Sequence, residues 1–175
     1  MTRGIYSKLA KNNIFKNRRI YFPFILSVIL STFMLYMISS LALNPNLKNI
    51  PGGKDLASIL GLGRIVTSIF VFIFLFYTNS FIVKRRSKEF GLYGILGMEK
   101  KHVSKVVFLE NAFILVFSLI IGLVVSVILD KLFFSILIKM IGEKVPLGFY
   151  ISKESLIFTA LFISAIFLLI YLNSL

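Results

Sequence analysis

Cysteine is absent from the 175-residue sequence, and histidine occurs once, at His102. The missing thiols exclude disulfides, thiolate metal sites and cysteine nucleophiles. The single histidine lies among lysines and has no partner in obvious register for a metal site or for proton transfer. The sequence also lacks a G-x-S-x-G nucleophile motif and a nucleotide-binding motif. We therefore do not expect an enzyme, and any driving reaction is expected on another chain.

Charged residues are scarce, at 15% of the chain, whereas hydrophobic residues make up 58%. Soluble domains are usually about one quarter charged and about half apolar. Four apolar runs each have at least about 20 residues, enough to cross about 30 Å of hydrocarbon as a helix. They are residues 21–43, 62–83, 106–129 and 156–175. We predict an all-α integral membrane protein with four transmembrane helices. The first run is longer than a signal-peptide core of about 7–15 residues, so we expect it to be retained.

Acidic residues number seven against 20 lysines and arginines, which gives a net charge of +13. Short loops rich in Lys and Arg mark the cytoplasmic side of a membrane protein. Their distribution predicts a cytoplasmic N-terminal segment 1–20, an outer loop 44–61, a cytoplasmic element 84–105 and an outer interfacial segment 130–155. Segment 1–20 has an apolar stripe and a basic face, which is typical of a helix on the lipids of the inner leaflet. No separate basic domain suggests binding to nucleic acid.

Small residues recur in the element 84–105. Ser87, Gly91 and Gly94 are spaced i, i+4 and i+7, so on a helix they form one stripe almost free of side chains. A helical glycine costs about 1 kcal/mol relative to alanine, and such a stripe lets another backbone approach closely. Gly97 is expected to turn the chain. The residues alone leave two interpretations open: a docking element for a protein partner, or a solvated hairpin whose cations only set the topology.

Two features inside the predicted spans also suggest contacts. Glu110 lies about one turn inside the third span. An intramembrane acid is costly and suggests function, but a helix N-terminus and the nearby Lys105 would stabilise an anion there. We favour an interfacial acid and keep a functional one as the alternative. Gly122 and Ser126, four residues apart, predict a close helix–helix contact.

Residues 76–103, "FYTNSFIVKRRSKEFGLYGILGMEKKHV", resemble the FtsX-like permease family of ABC transporters. The matching residues are a basic pair, Glu89, Gly91-Leu92, Leu96-Gly97, Lys100-Lys101 and Val103. The chain looks most like the bacitracin-efflux (Bce-type) branch. The stretch "KNNIFKNRRIYFPF" is similar to the start of that branch, and "ENAFILVFSLIIGLVVSVILDKLFF" and "ISKESLIFTALFISAIFLLIYL" to its third and fourth spans.

The resemblance implies that the element 84–105 contacts a separate ATPase subunit, which would bind the ATP, so that this chain needs no cofactor. The expected contact residues are Arg85, Arg86, Glu89, Gly91, Tyr93, Gly94 and Gly97. It also implies a bacterial cell membrane, a role in antimicrobial-peptide resistance or sensing, and a membrane histidine kinase as signalling partner. Members of the branch have more spans and a large outer domain, so we expect this chain to correspond to their N-terminal portion. The alternative function is a small non-transport membrane protein that regulates a partner through helix–helix contacts.

Overall fold

A computed structural model describes residues 3–48, 51–95, 100–141 and 151–173, and every regular element among them is helical. The helices are α1 (Arg3–Lys16), α2 (Arg18–Leu43), α3 (Pro45–Lys48), α4 (Gly53–Ile95), α5 (Lys100–Ile141) and α6 (Lys153–Asn173). Four of them, α2, α4, α5 and α6, are long and apolar enough to cross a membrane. The predicted all-α fold with four transmembrane helices is confirmed.

Two helices extend well beyond the apolar runs that predicted them. α4 has 43 residues and covers part of the predicted outer loop 44–61 and of the element 84–105. α5 has 42 residues and continues to residue 141, inside the predicted interfacial segment 130–155. Hydropathy marks only the apolar part of a helix, whereas backbone hydrogen bonding continues until a residue breaks it. Such a break precedes α4, where Gly52 adopts a left-handed φ of 71° that a side chain would disfavour.

α2 is the central helix and packs against α4, α5 and α6. The apolar span of α2 is 56% buried, against 11% for that of α4, so α4 presents most of its surface to the surroundings. The buried residues of α2 recur every three or four positions in its first half and become nearly consecutive from Leu35 to Ser40, so neighbouring helices cover more than one side of α2 there. The core consists of Tyr21, Phe24, Val28, Leu35, Val71, Leu75, Ile82, Ile114, Ile163, Ile166, Phe167 and Ile170.

The four long helices alternate in direction. α5 runs parallel to α2, because Tyr21 at the start of α2 bonds Glu110 in the first third of α5, and the rings of Phe33 and Phe133 lie 5.9 Å apart further along both helices. α4 and α6 run the opposite way. Consequently α1, the end of α4, the beginning of α5 and the end of α6 lie at one end of the bundle, called here the α1 end.

Polar side chains organise the helix termini at the other end of the bundle. The backbone N–H of Asn46 donates to Asn44 Oδ1 at 3.0 Å, which turns the chain after α2. At the start of α6, the backbone N–H of Ser155 donates to Ser152 Oγ at 3.2 Å. Ser152 is therefore the N-cap of α6.

Candidate functional site

The end of α4 carries the residues predicted to contact a partner. α4 remains helical to Ile95, about 14 Å beyond Arg86 at 1.5 Å per residue. Arg85 is exposed, and its guanidinium carbon lies 4.9 Å from the centre of the Phe81 ring. Gly91 is exposed, and a Cβ added to it would meet no atom within 4 Å. This part of α4 therefore presents a cation and bare backbone to its surroundings.

Arg86, in contrast, points into the bundle. Its side chain is 2% exposed, and it forms an ion pair with Glu110, which is 1% exposed. One guanidinium nitrogen, Nη1, donates to Glu110 Oε2 and to the hydroxyl of Tyr21. The other, Nη2, donates to Glu110 Oε1 at 3.2 Å. This two-point contact fixes the orientation of both side chains, because guanidinium and carboxylate are planar and complementary.

Four other side chains bond to this ion pair or to one another around it. Tyr21 donates its hydroxyl hydrogen to Glu110 Oε2 at 2.8 Å, and Asn13 donates to Glu110 Oε1 at 2.9 Å. Glu89 accepts from Arg86 Nε at 3.0 Å and from Asn17 Nδ2 at 2.9 Å. We call these residues the Arg86–Glu110 cluster; its members are Asn13, Asn17, Tyr21, Arg86, Glu89 and Glu110. The cluster joins α1, α2, α4 and α5 at the α1 end.

Helical spacing explains why the six residues of the cluster come from only three stretches of the chain. Asn13, Asn17 and Tyr21 are four residues apart, so they share one side of the chain as it passes from α1 into α2. The backbone N–H of Asn17 donates to the carbonyl of Asn13 at 2.9 Å, and this helical hydrogen bond keeps α2 in line with α1. Arg86 and Glu89 are three residues apart and meet as neighbours on α4. Buried charges need such compensation, since an unpaired ion in an apolar environment is strongly destabilising.

The position of Arg86 differs from that expected of a contact residue. Arg85 and Gly91 are exposed, as a contact role requires, whereas the guanidinium of Arg86 is held inside. Glu89 is intermediate, with its side chain 37% exposed. For Tyr93 and Gly94 the structure describes the helical backbone only, and Gly97 lies outside the described residues. The contact role of the whole set stays a prediction.

Glu110 also occupies a setting other than the one expected from the sequence. α5 begins at Lys100, so Glu110 lies nearly three turns inside the helix rather than about one turn inside it. Its ion-pair partner is Arg86 of α4, not Lys105. The helix dipole falls off within the first turn and does not explain the stability of this carboxylate. The carboxylate is stabilised instead by hydrogen-bond donors from three other helices, Asn13 of α1, Tyr21 of α2 and Arg86 of α4.

Gly122 and Ser126 lie where α5 meets α2. Both are buried, and a Cβ added to Gly122 would lie 2.8 Å from Thr32 Cβ and 3.2 Å from the carbonyl oxygen of Ile29. Ser126 donates to the carbonyl of Gly122 at 2.6 Å and so satisfies its hydroxyl within α5. The small residues thus permit a close approach of the two helices.

Sequence reasoning missed Asn13, Asn17 and Tyr21. The signal that could have found them is their four-residue spacing across a basic segment, which places two amides and a phenol on one side. That spacing indicates a shared face but does not identify Glu110 and Glu89 as the acceptors.

Comparisons with known proteins agree with the expected family. The FtsX-like permease C-terminal family matches residues 61–175. The uncharacterized ABC transporter permease YvcS of Bacillus subtilis (strain 168) is 29% identical over 153 residues, which are 86% of this chain and 24% of that protein. The bacitracin export permease protein BceB of the same organism is 29% identical over 164 residues, covering 94% of this chain and 25% of that protein. The ABC transporter permease protein YxdM, also of that organism, is 31% identical over 133 residues, covering 75% and 21%.

The chain spans about a quarter of the length of the curated relatives it matches first. The likeness to bacitracin export permeases confirms the resemblance seen in residues 76–103. Four apolar helices together with this likeness make the chain a multi-pass membrane protein. The match over residues 61–175 covers more than half of the sequence. The chain belongs to the FtsX-like permease family.

Proposed function

We propose that this chain acts as the permease part of an ABC transporter and couples ATP hydrolysis on a separate ATPase subunit to movement of its membrane helices. Two relatives are named ABC transporter permeases and another a bacitracin export permease. The bacitracin export name supports antimicrobial-peptide resistance or sensing as the coupled process. The family resemblance of residues 76–103 is the basis for proposing a membrane histidine kinase as the signalling partner. ATP would be held by the ATPase subunit.

The observation that supports this proposal most is the Arg86–Glu110 cluster. It lies where α4 leaves the core and connects that helix to α1, α2 and α5. A force applied to residues 87–95 would reach α2 through Tyr21 and α5 through Glu110. Because α2 is the central helix, its displacement would affect every other span. Buried hydrogen bonds between charged groups are strong, and breaking one of them is costly. The helices that the cluster joins would therefore move together.

The end of α4 has the chemistry of a surface that a protein covers. Ile95 is 84% exposed, and the neighbouring sequence from Phe90 to Leu96 is mainly apolar. The exposed guanidinium of Arg85 and the bare backbone at Gly91 lie on the same extension. An exposed apolar side chain such as Ile95 is better stabilised by a protein groove than by water.

The charge distribution supports a cytoplasmic location for this surface. Exposed cations at the α1 end include Lys8, Lys11, Arg19, Arg85 and Lys101. An excess of Lys and Arg marks the inner side of a membrane. We therefore propose that the N-terminus and the α4–α5 connection face the cytoplasm of a bacterial cell.

Co-purification of an ABC ATPase subunit with this chain, from the cells that produce both, tests the proposal. The informative variant is Gly91→Leu, because the new side chain enters open space and leaves the packing of the bundle intact. Gly61→Leu is the matched control: Gly61 is also a glycine of α4 with nothing within 4 Å of an added Cβ, but it lies near the opposite end of the helix. Both variants should insert into the membrane as the native chain does.

We expect Gly91→Leu to reduce the co-purified ATPase at least about ten-fold, since a side chain of this size would separate two closely apposed backbones. Gly61→Leu should retain the native amount. Equal co-purification with both variants would count against docking at the end of α4. Equal loss with both would show that the effect is not local to that surface.

A further inference from the structure

A groove lies beside the Arg86–Glu110 cluster and is not explained by the coupling role. It has a volume of about 460 Å³ and is formed by α1, α2 and α5. Aromatic side chains form its walls: Phe15, Phe22, Phe113 and Phe117. They are 68%, 66%, 42% and 56% exposed, so the protein leaves these rings uncovered. Its volume lies within the range of about 300–1,000 Å³ typical of ligand pockets.

Two cations lie at the groove, Lys11 on α1 and Arg18 at the start of α2. Both are exposed, and neither forms an ion pair with another residue that the structure describes. The acids that the structure describes at the α1 end, Glu89 and Glu110, accept hydrogen bonds from Arg86. The groove therefore combines two exposed positive charges with apolar walls.

The cations and the apolar walls of the groove lie at different depths along α2. Arg18 begins α2, and Ile25 lines the groove about 10 Å further along the helix, at 1.5 Å per residue. The charged part of the groove is thus next to the terminus of a transmembrane helix, and the apolar part extends toward the membrane interior. A ligand that fits both parts has an anionic head and a hydrocarbon tail.

We propose that this groove binds an anionic phospholipid. The phosphate lies between Lys11 and Arg18, and the upper part of an acyl chain lies between the aromatic walls. Basic residues at a membrane surface attract anionic headgroups. This inference does not rest on docking of an ATPase, because the groove is formed by α1, α2 and α5 rather than by the end of α4.

Charge and side-chain size argue against a transmembrane helix as the occupant. Helix–helix contacts in membranes favour small residues, as at Gly122, whereas the groove presents large aromatic rings. A helix would also have to place an acid next to Lys11 and Arg18 to match their charge. A phospholipid supplies the negative charge and the flexible apolar chain in one molecule.

Native mass spectrometry of the detergent-purified chain measures this binding, with dioleoylphosphatidylglycerol and dioleoylphosphatidylcholine as the probes. The test variant is Lys11→Gln/Arg18→Gln. Lys8→Gln/Arg19→Gln is the matched control, because it removes one exposed cation from α1 and one from α2 without altering the groove lining. A third arm adds excess glycerol 3-phosphate, which carries the headgroup charge and has no acyl chain. Circular dichroism checks that both double variants keep their helices.

The phosphatidylglycerol should bind more tightly than phosphatidylcholine. Lys11→Gln/Arg18→Gln should weaken it about 20- to 30-fold, since each cation near an anionic surface strengthens binding about five-fold, and the control should leave it nearly unchanged. Glycerol 3-phosphate should not displace it. The proposal is overturned by equal binding of the two lipids, by equal losses in the two double variants, or by displacement with glycerol 3-phosphate.

Discussion

Replacing Glu110 by glutamine should destabilise the bundle strongly. The change keeps the shape of the side chain but removes the negative charge that Arg86 contacts with two guanidinium nitrogens. Arg86 is 2% exposed, so water cannot replace the lost partner. Removing one member of a buried ion pair typically costs about 3–5 kcal/mol, because the other charge remains buried. Glu89 still bonds Arg86 Nε, so we expect the lower value, about 3 kcal/mol.

A double-mutant cycle separates this pair from the rest of the cluster. Arg86→Met/Glu110→Leu removes both charges, and replacing a buried pair by apolar residues is often neutral. We expect the double variant to be less destabilised than the sum of Arg86→Met and Glu110→Leu by about 2 kcal/mol. Arg85→Gln is the control for loss of a neighbouring cation. Since Arg85 is exposed, its replacement should change stability by less than about 0.5 kcal/mol.

The free energies come from reversible unfolding in mixed micelles, with sodium dodecyl sulfate as denaturant and circular dichroism as the signal. The reasoning fails if Glu110→Gln lies within about 0.5 kcal/mol of the native chain. It also fails if the two single costs are additive, because the residues would then contribute independently.

Two further predictions concern packing and capping. Gly122→Ala should lower the free energy of unfolding by about 1–3 kcal/mol in the same assay, because the new Cβ would lie 2.8 Å from Thr32 Cβ. Gly61→Ala, whose Cβ would have no atom within 4 Å, should raise it by about 0.5–1 kcal/mol. Equal effects at both glycines would contradict the close approach of α5 to α2. Ser152→Ala should lower the free energy of unfolding by about 1 kcal/mol, because the N–H of Ser155 loses its acceptor. Amide hydrogen exchange should become faster in the first turn of α6. Unchanged protection of these amides would refute the N-cap.

The membrane fold follows from the sequence because apolar length is a local property. Each of the four runs is long enough to cross the hydrocarbon, and the structure has a helix at each of them. The helical ends are harder to predict, because charge lowers hydropathy without ending a helix. α4 therefore passes Lys84 and Arg85 unbroken to Ile95. For the same reason the third apolar run was bounded at residue 106, which placed Glu110 about one turn inside the span, whereas α5 begins at Lys100.

The candidate site was only partly predictable. The sequence identified the segment around Arg85 and Gly91 as unusual, since glycines and cations are local signals. It could not identify the inward role of Arg86, whose partners Tyr21 and Glu110 lie 65 and 24 residues away along the chain. Periodicity shows which residues share a helix face but not which helix lies opposite that face. The orientation of four helices decides that, and it depends on the packing of the whole bundle.

Site-specific photocrosslinking along α4 tests the central claim most directly. A photoreactive residue is placed at Arg85, Gly91 or Ile95, which are exposed at the α1 end, and at Ile59 as a control that is 64% exposed near the other end of the same helix. The account predicts that the first three positions crosslink to an ATPase subunit in cells and that Ile59 does not. Capture of lipid alone at all four positions would contradict it.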